Sequence, residues 1–423
     1  MISRVVVTGI GAISPIGISF RDSWESAKRG LSGIGFITRF DASSIKWKIA
    51  GELKGFDAKK FLSQKEANRL DPFVHYAVAA AIMAAEDAGL IGQASGARSQ
   101  KSKTKTEYLT SAGIIIGSSR GGISTIENSI LKLKAKYKNP NLHLSAYLMP
   151  STTISMAPSY IAQKLGIKGY CLGISNACAS GTSAIGEAYR LIKGGYKWPV
   201  LCGGTDAPIC RLCIEGYGVS GALSCVNNPS ASRPFDKTRD GFVLSEGACV
   251  LILEDYKNAI NRGAKIYGEI IGYGNTADAF HQTRPDPEGE ARAIRMALNE
   301  AGLRPREIDF INAHGTSTPL GDKAETEAIK LSFGKNAYNI PVTSNKSMTG
   351  HMLAASGTLE AAFTLMSMKE GIVPPTINLT EKGSECDLDY VTRLRKYDIR
   401  HAISNSFGFG GVNAVLVFRN FNL

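Results

Sequence analysis

The sequence has no apolar run of membrane-spanning length, and its N-terminus, MISRVVVTGIG, lacks the hydrophobic core of a signal peptide. HExxH and paired-cysteine zinc spacings are absent, which argues against a metal hydrolase. There is no complete Walker loop and no GxSxG elbow. The segment GIGAIS resembles a dinucleotide fingerprint but has Ser14 where the third glycine belongs, and no acidic residue follows at the expected strand end. Arginine-rich runs are missing too, so the net charge of +12 is dispersed and a basic nucleic-acid binder is disfavoured. Histidine is scarce at six residues. The eight cysteines stand at 171, 178, 202, 210, 213, 225, 249 and 386, mostly among apolar or small neighbours, in a chain too long to need disulfide staples. CRLC (210–213) has CxxC spacing with no second pair, which reads as coincidence. A reducing cytoplasm is the expected location.

What is present is an ordinary globular composition, 43% apolar and 20% charged. At 423 residues the chain exceeds one usual core, so two domains or a duplicated one are expected. The positive charge calls for an acidic partner or surface. RSQKSKTKTE (98–107), polar and without aromatics, reads as a solvated loop. Short apolar runs within 4–17, 112–122, 199–207, 248–255, 307–315 and 414–418 alternate with helical stretches such as alanine-rich 74–90, which Gly89 stops. That alternation indicates an α/β fold with covered sheets.

ASGTSAIGEAYRLIKGG (179–195) aligns without gaps on ASGTLEAAFTLMSMKEG (355–371). Two helices with small faces suit close packing at the centre of a duplicated fold, with halves 1–260 and 261–423. The match is short enough that chance stays an alternative.

Cys178, in GISNACASGTSAIG, has neighbours too small to cover it and precedes the first of these helices. The expectation is an accessible sulfur at a helix N-terminus, its pKa lowered by the unpaired N–H groups; the bland alternative is a buried, inert cysteine. His75, His143, His281 and His401 read as core or surface residues. His314 lies in NAHGTSTPLGD at the end of an expected strand, and His351 lies in TSNKSMTGHMLAASG just before the second duplicated helix. If the two helices face each other, His351 and Cys178 approach one point from two sides.

With these segments VVVTGIGAISPIG, SRPFDKTRDGFVLSEGA, PPTINL and SNSFGFGGVN, the chain resembles the β-ketoacyl-acyl carrier protein synthases of type II fatty-acid synthesis over essentially its whole length. The resemblance implies the thiolase fold, a five-layered α-β-α-β-α stack with internal duplication, usually as a homodimer. It implies Cys178 as the nucleophile that takes the acyl chain, and His314 and His351 as donors to the enolate left by malonyl decarboxylation, with neither metal nor cofactor. Backbone N–H groups of Cys178 and Phe409 would hold the oxyanion. A Cys-His-His set sets the chain apart from thiolases, which use a second cysteine, and from starter synthases, which carry Asn.

The resemblance further implies Lys346 and Glu360 as a supporting charged pair, and Thr316 and Thr318 as ligands of the phosphopantetheine arm. Phe407 and Phe409 would form the glycine-hinged gate of the acyl pocket, and Lys65 and Arg69 would dock an acidic carrier protein, although Asn68 interrupts that patch. Arg120, in GSSRGG, departs from the family's apolar or small residue near the end of the acyl tunnel. A buried guanidinium there needs a carboxylate, closes the pocket, or signals a substrate unlike a saturated fatty chain. Polyene, polyketide or short acyl chains are then expected. Fatty-acid and polyketide elongation stay open, as do a homodimer and a heterodimer with a ketosynthase paralogue. A non-catalytic chain-length partner, lacking the nucleophile in typical cases, is the weaker alternative.

Overall fold

The computed structural model describes residues 3–92, 103–136, 141 and 143–421. Ten strands make the main sheet: β1 (Val5–Ile13), β2 (Gly113–Gly117), β3 (Cys171–Ile174), β4 (Val200–Asp206), β5 (Gly247–Asp255), β6 (Gly268–Ala277), β7 (Phe310–Asn312), β8 (Val342–Thr343), β9 (His401–Gly408) and β10 (Val412–Arg419). Their order is β8-β7-β9-β10-β6-β1-β5-β4-β2-β3. Outward from the central β1–β6 pair, the sequence is 1-5-4-2-3 on one side and 6-10-9-7-8 on the other. Each half has the same senses, two parallel ladders at the outside and two antiparallel ladders inside. The short antiparallel register of Val5–Val7 on Gly268–Ile270 joins them. The duplication expected from one helical match is therefore written into the whole topology.

The layers follow from where each helix can bury its apolar surface. Helices α1 (Pro72–Asp87) and α2 (Met156–Leu165) cover the outer face of the first half, while α3 (Ser180–Lys193) and α6 (Ala354–Glu370) lie between the halves. Helices α4 (Pro287–Ala301) and α5 (Pro319–Phe333) lie outside the second half, α4 on β6 and β10 and α5 against α4. Alanine-rich α1 approaches β1 closely because Ala80 and Ala84 face Gly9 and Gly11, where a Cβ would collide with their carbonyls. The aligned Ala-Ser-Gly-Thr segments explain the contact of α3 with α6. A Cβ on Gly181 would collide with the Ala354 carbonyl, and one on the equivalent Gly357 with the Thr182 hydroxyl. Only glycine at both places lets the two backbones meet this closely.

One expectation fails locally, and two strands escaped the sequence reading. Of the segment 98–107, residues 98–102 lie outside the described residues, and Lys103–Thr110 is a helix rather than a loop. Strands β6 and β9 carry glycines, Asn, Ser and Thr on a sheet buried on both faces, so their sequences give no clear apolar run. CRLC joins an apolar cluster, with Cys210 and Cys213 both buried at the start of the helix Arg211–Val219.

Candidate active site

The central helices bring the three candidates together through their entry loops. Ala177, directly before Cys178, has φ 47, and its equivalent Leu353, two residues after His351, has φ 51. A non-glycine residue held there marks backbone kept in a sparsely populated region by its surroundings. This turn aims Cys178 into a cavity of about 330 Å³ whose wall also includes His314, His351, Thr316, Thr318, Phe407 and Phe409. All three chemical candidates thus face one space.

His314 and His351 meet edge to face, ring centroids 5.4 Å apart and planes at 82°. His351 Nδ1 lies 3.2 Å from Ser356 Oγ, and that oxygen already accepts the Met352 N–H at 2.9 Å. The Ser356 hydroxyl has a proton to give to Nδ1, and a bond in that sense puts the imidazole proton on Nε2. His351 Nε2 is buried and without a partner among the described residues. Phe242 packs on the same ring edge-on at 5.2 Å. His314 is positioned through its backbone: Glu325 accepts the N–H groups of His314 and Gly315 at 2.8 and 2.7 Å. Burial and the Lys346 ammonium hold both imidazoles well below the usual histidine range, with His351 adding to the effect on His314.

Lys346 and Glu360 pair as expected, Nζ to Oε1 at 2.5 Å, both almost sealed from solvent. Lys346 is also the largest influence favouring the Cys178 thiolate, yet burial outweighs it and pushes the thiol up to about 11. The expectation of an uncovered, acidified cysteine is thus corrected. Cys178 is only 9% exposed at the cavity wall, and the desolvation of its sulfur exceeds what the start of α3 and Lys346 supply. The Phe409 backbone N–H points at this sulfur. Phe407 ends on β9, while Phe409, Gly410 and Gly411 form the β9–β10 turn, with φ of 90 and 68 at the glycines.

Thr316 and Thr318 line the cavity with their hydroxyl oxygens 2.9 Å apart, and Thr318 also caps α5 by accepting the Gly321 N–H at 3.1 Å. Lys65 and Arg69 are exposed on the surface, Arg69 stacked 4.3 Å over Tyr147. Arg120 needs a second correction. It is exposed, its guanidinium has no carboxylate partner among the described residues, and it does not line the cavity; its Nε donates to the Tyr217 hydroxyl at 2.7 Å.

Sequence reasoning missed Glu325, Asp206, Ser356 and Tyr217. Asp206, buried and pushed up to about 6 by that burial, accepts the N–H groups of Ser119, Arg120 and Ala354, tying β2 to the start of α6. A carboxylate eleven positions from His314, or a serine five from His351, carries no signal until the chain is folded.

The family models for the β-ketoacyl synthase N-terminal domain and C-terminal domain match residues 3–259 and 267–380. The chain belongs to the β-ketoacyl synthase family. This synthase is 47% identical over 423 residues to 3-oxoacyl-[acyl-carrier-protein] synthase 2 of Synechocystis sp., covering 99% of the chain and 98% of that relative. It is 44% identical over 422 residues to the Staphylococcus aureus protein of the same name, with the same coverage. Among solved structures, the ishigamide ketosynthase/chain length factor superposes with TM-score 0.90 at 35% identity over 100% of both chains. A type II polyketide-synthase acyl-carrier protein in complex with its ketosynthase, bound to the hexaketide, gives TM-score 0.88 at 33% identity over 99% of this chain and 100% of that one. The synthase accordingly has the thiolase fold and is an acyl-transferring condensing enzyme. No helix among the described residues is long and apolar enough to cross a membrane.

Proposed function

We propose that Cys178, His314 and His351 carry out decarboxylative Claisen condensation on acyl chains presented by a carrier protein. In the first step the Cys178 sulfur attacks an acyl thioester. The new carbon–sulfur bond replaces the carrier's, and the thiol proton ends on the departing carrier thiol. A malonyl thioester then loses CO₂, and its bond electrons move onto the thioester oxygen as an enolate. His351 Nε2–H and a ring N–H of His314 donate to that oxygen, and the enolate carbon attacks the thioester on Cys178. N–H groups of Cys178 and Phe409 hold the resulting oxyanion until the carbon–sulfur bond breaks. The single observation that carries this reading is the unpartnered Nε2 of His351, a buried donor fixed by Ser356 in the cavity that also holds Cys178. Preorganised donors of this kind typically supply about 100- to 1,000-fold each.

Thr316 and Thr318 are read as ligands of the phosphopantetheine arm, Phe407 and Phe409 as the gate of the acyl pocket, and exposed Lys65 and Arg69 as contacts for an acidic carrier. The sequence relatives bear fatty-acid elongation names and one structural neighbour holds a hexaketide, so both pathways fit the reaction. A non-catalytic role is disfavoured by the full Cys-His-His set. The edge strand β3 has exposed Tyr170 and Leu172 beside and on it, whereas the opposite edge β8 is buried. An open, apolar edge supports pairing with a second copy, or with a paralogue, in the cytoplasm. The halves 1–260 and 261–423 are the two structural units of this reading. The test is mass analysis after incubation with an acyl carrier thioester, then with the malonyl form. The expected result is an acyl adduct on Cys178 discharged as 3-oxoacyl product, and loss of both with Cys178→Ala. Product formed by Cys178→Ala would remove the proposal.

A further inference from the structure

The reaction leaves the cavity-lining phenol of Tyr217 without a task. Tyr217, on the helix Arg211–Val219, lines the cavity beside Cys178 and is only 8% exposed. Its ring is fixed on two sides, edge-on against Phe242 at 5.6 Å and tilted against Phe409 at 6.4 Å. Its hydroxyl oxygen accepts from Arg120 Nε at 2.7 Å, and the guanidinium carbon lies 5.0 Å from the ring centroid. Arg120 is itself anchored, because its backbone N–H donates to buried Asp206.

The direction of that hydrogen bond matters. The phenol oxygen is an acceptor toward Arg120, so its own proton remains to be given away, and no acceptor for it is found among the described residues. A hydroxyl polarised by a guanidinium is a stronger donor than an isolated one. An alkyl chain laid against it would desolvate the group with nothing in return, whereas a carbonyl oxygen would satisfy it. Tyr217 and Cys178 line the same cavity, and the Tyr217 ring packs against Phe409, whose N–H points at that sulfur, so the donor faces the start of a chain bound there.

We propose that Tyr217 is a specificity residue for the acyl group on Cys178, donating to an oxygen carried near the thioester, and that Arg120 is its positioning residue. The preferred acyl donors are then oxygen-bearing chains, 3-oxoacyl thioesters first, over saturated chains of equal length. This rests on the reading of Cys178 as nucleophile.

The full-length protein is treated separately with hexanoyl-pantetheine and 3-oxohexanoyl-pantetheine, and the rate of acylation at Cys178 is read by peptide mass. The preference for the 3-oxo thioester is expected to be roughly tenfold to a hundredfold greater in the native protein than in Tyr217→Phe, a comparison that cancels the thioesters' intrinsic reactivities. Arg120→Met is expected to lower the same ratio partway, and Arg120→Lys to restore less than the native ratio because a point cation cannot reproduce the planar donor. A ratio equal in the native protein and in folded Tyr217→Phe overturns the proposal. If neither thioester acylates Cys178, the nucleophile reading itself falls and takes this inference with it.

Discussion

Lys346 Nζ and Glu360 Oε1 lie 2.5 Å apart with both side chains almost fully withdrawn from water, Lys346 at the start of a short turn and Glu360 on α6. Glu360 Oε2 has no partner among the described residues, so Lys346 is the charge that makes this carboxylate tolerable. Removing either partner leaves an uncompensated buried charge at a cost of about 3–5 kcal/mol. Thermal melts of Lys346→Met and Glu360→Gln should fall well below native, Lys346→Met further because it leaves an anion. The double variant should recover part of the loss; additive losses in this cycle would mean the pair is not coupled.

The pH behaviour follows from the depressed histidines. Both imidazoles are held well below their ordinary value by burial first and Lys346 second, so they stay neutral as the pH falls through about 6.5. An unfolded chain protonates there, so the stabilisation linked to these neutral rings is complete above about pH 6.5 and is lost progressively below it. Malonyl decarboxylation should show no inflection near pH 6.5. Nitrogen NMR of the labelled protein at pH 6 should report His351 as neutral with the proton on Nε2. An activity limb at pH 6.5 would contradict the geometry.

The sealed thiol makes a contrasting forecast. Because burial pushes Cys178 up to about 11, iodoacetamide should alkylate it about tenfold faster per pH unit from pH 7 to 10. Lys346→Met should slow the reaction at every pH, since the ammonium is the main stabiliser of the thiolate. A plateau reached by pH 8 would show that the sulfur is less desolvated than its burial implies.

Thr318 has two tasks that substitution can separate. It caps α5 and it lines the cavity next to Thr316. Thr318→Ala should cost about 1 kcal/mol of stability and raise KM for carrier-bound substrate. Thr318→Ser should keep the cap and most of the affinity. Equal KM values for both variants would confine Thr318 to the helix end.

Charge reversal on the surface tests docking. Lys65→Glu with Arg69→Glu should raise KM for an acidic carrier by about tenfold at low salt, the effect shrinking as salt screens it. Small pantetheine thioesters should react as before. An equal loss with both substrate types would place these residues outside a carrier interface.

Much of the molecule was legible in the linear chain because its signals are local. Short apolar runs mark β1, β2, β4 and β10, and positive φ at Gly89 closes α1 as composition suggests. Strands β6 and β9 were hidden because their ladder is buried on both faces by glycine and small polar residues rather than by branched apolar ones. Arg120 misled because its position in the chain gave no hint of Tyr217, ninety-seven residues away, which satisfies it without burial.

Sequence alone determined the kinds of group available: a cysteine among small residues, two histidines in glycine-rich segments, and a repeated Ala-Ser-Gly-Thr suited to a close helix pair. Tertiary structure decided what those groups are like. Whether a thiol is acidic, which imidazole nitrogen keeps its proton, and which phenol has a donor to spare depend on desolvation and on partners from distant segments. Such fields fall off over a few ångströms of space, and the order of residues along a chain carries no measure of that distance.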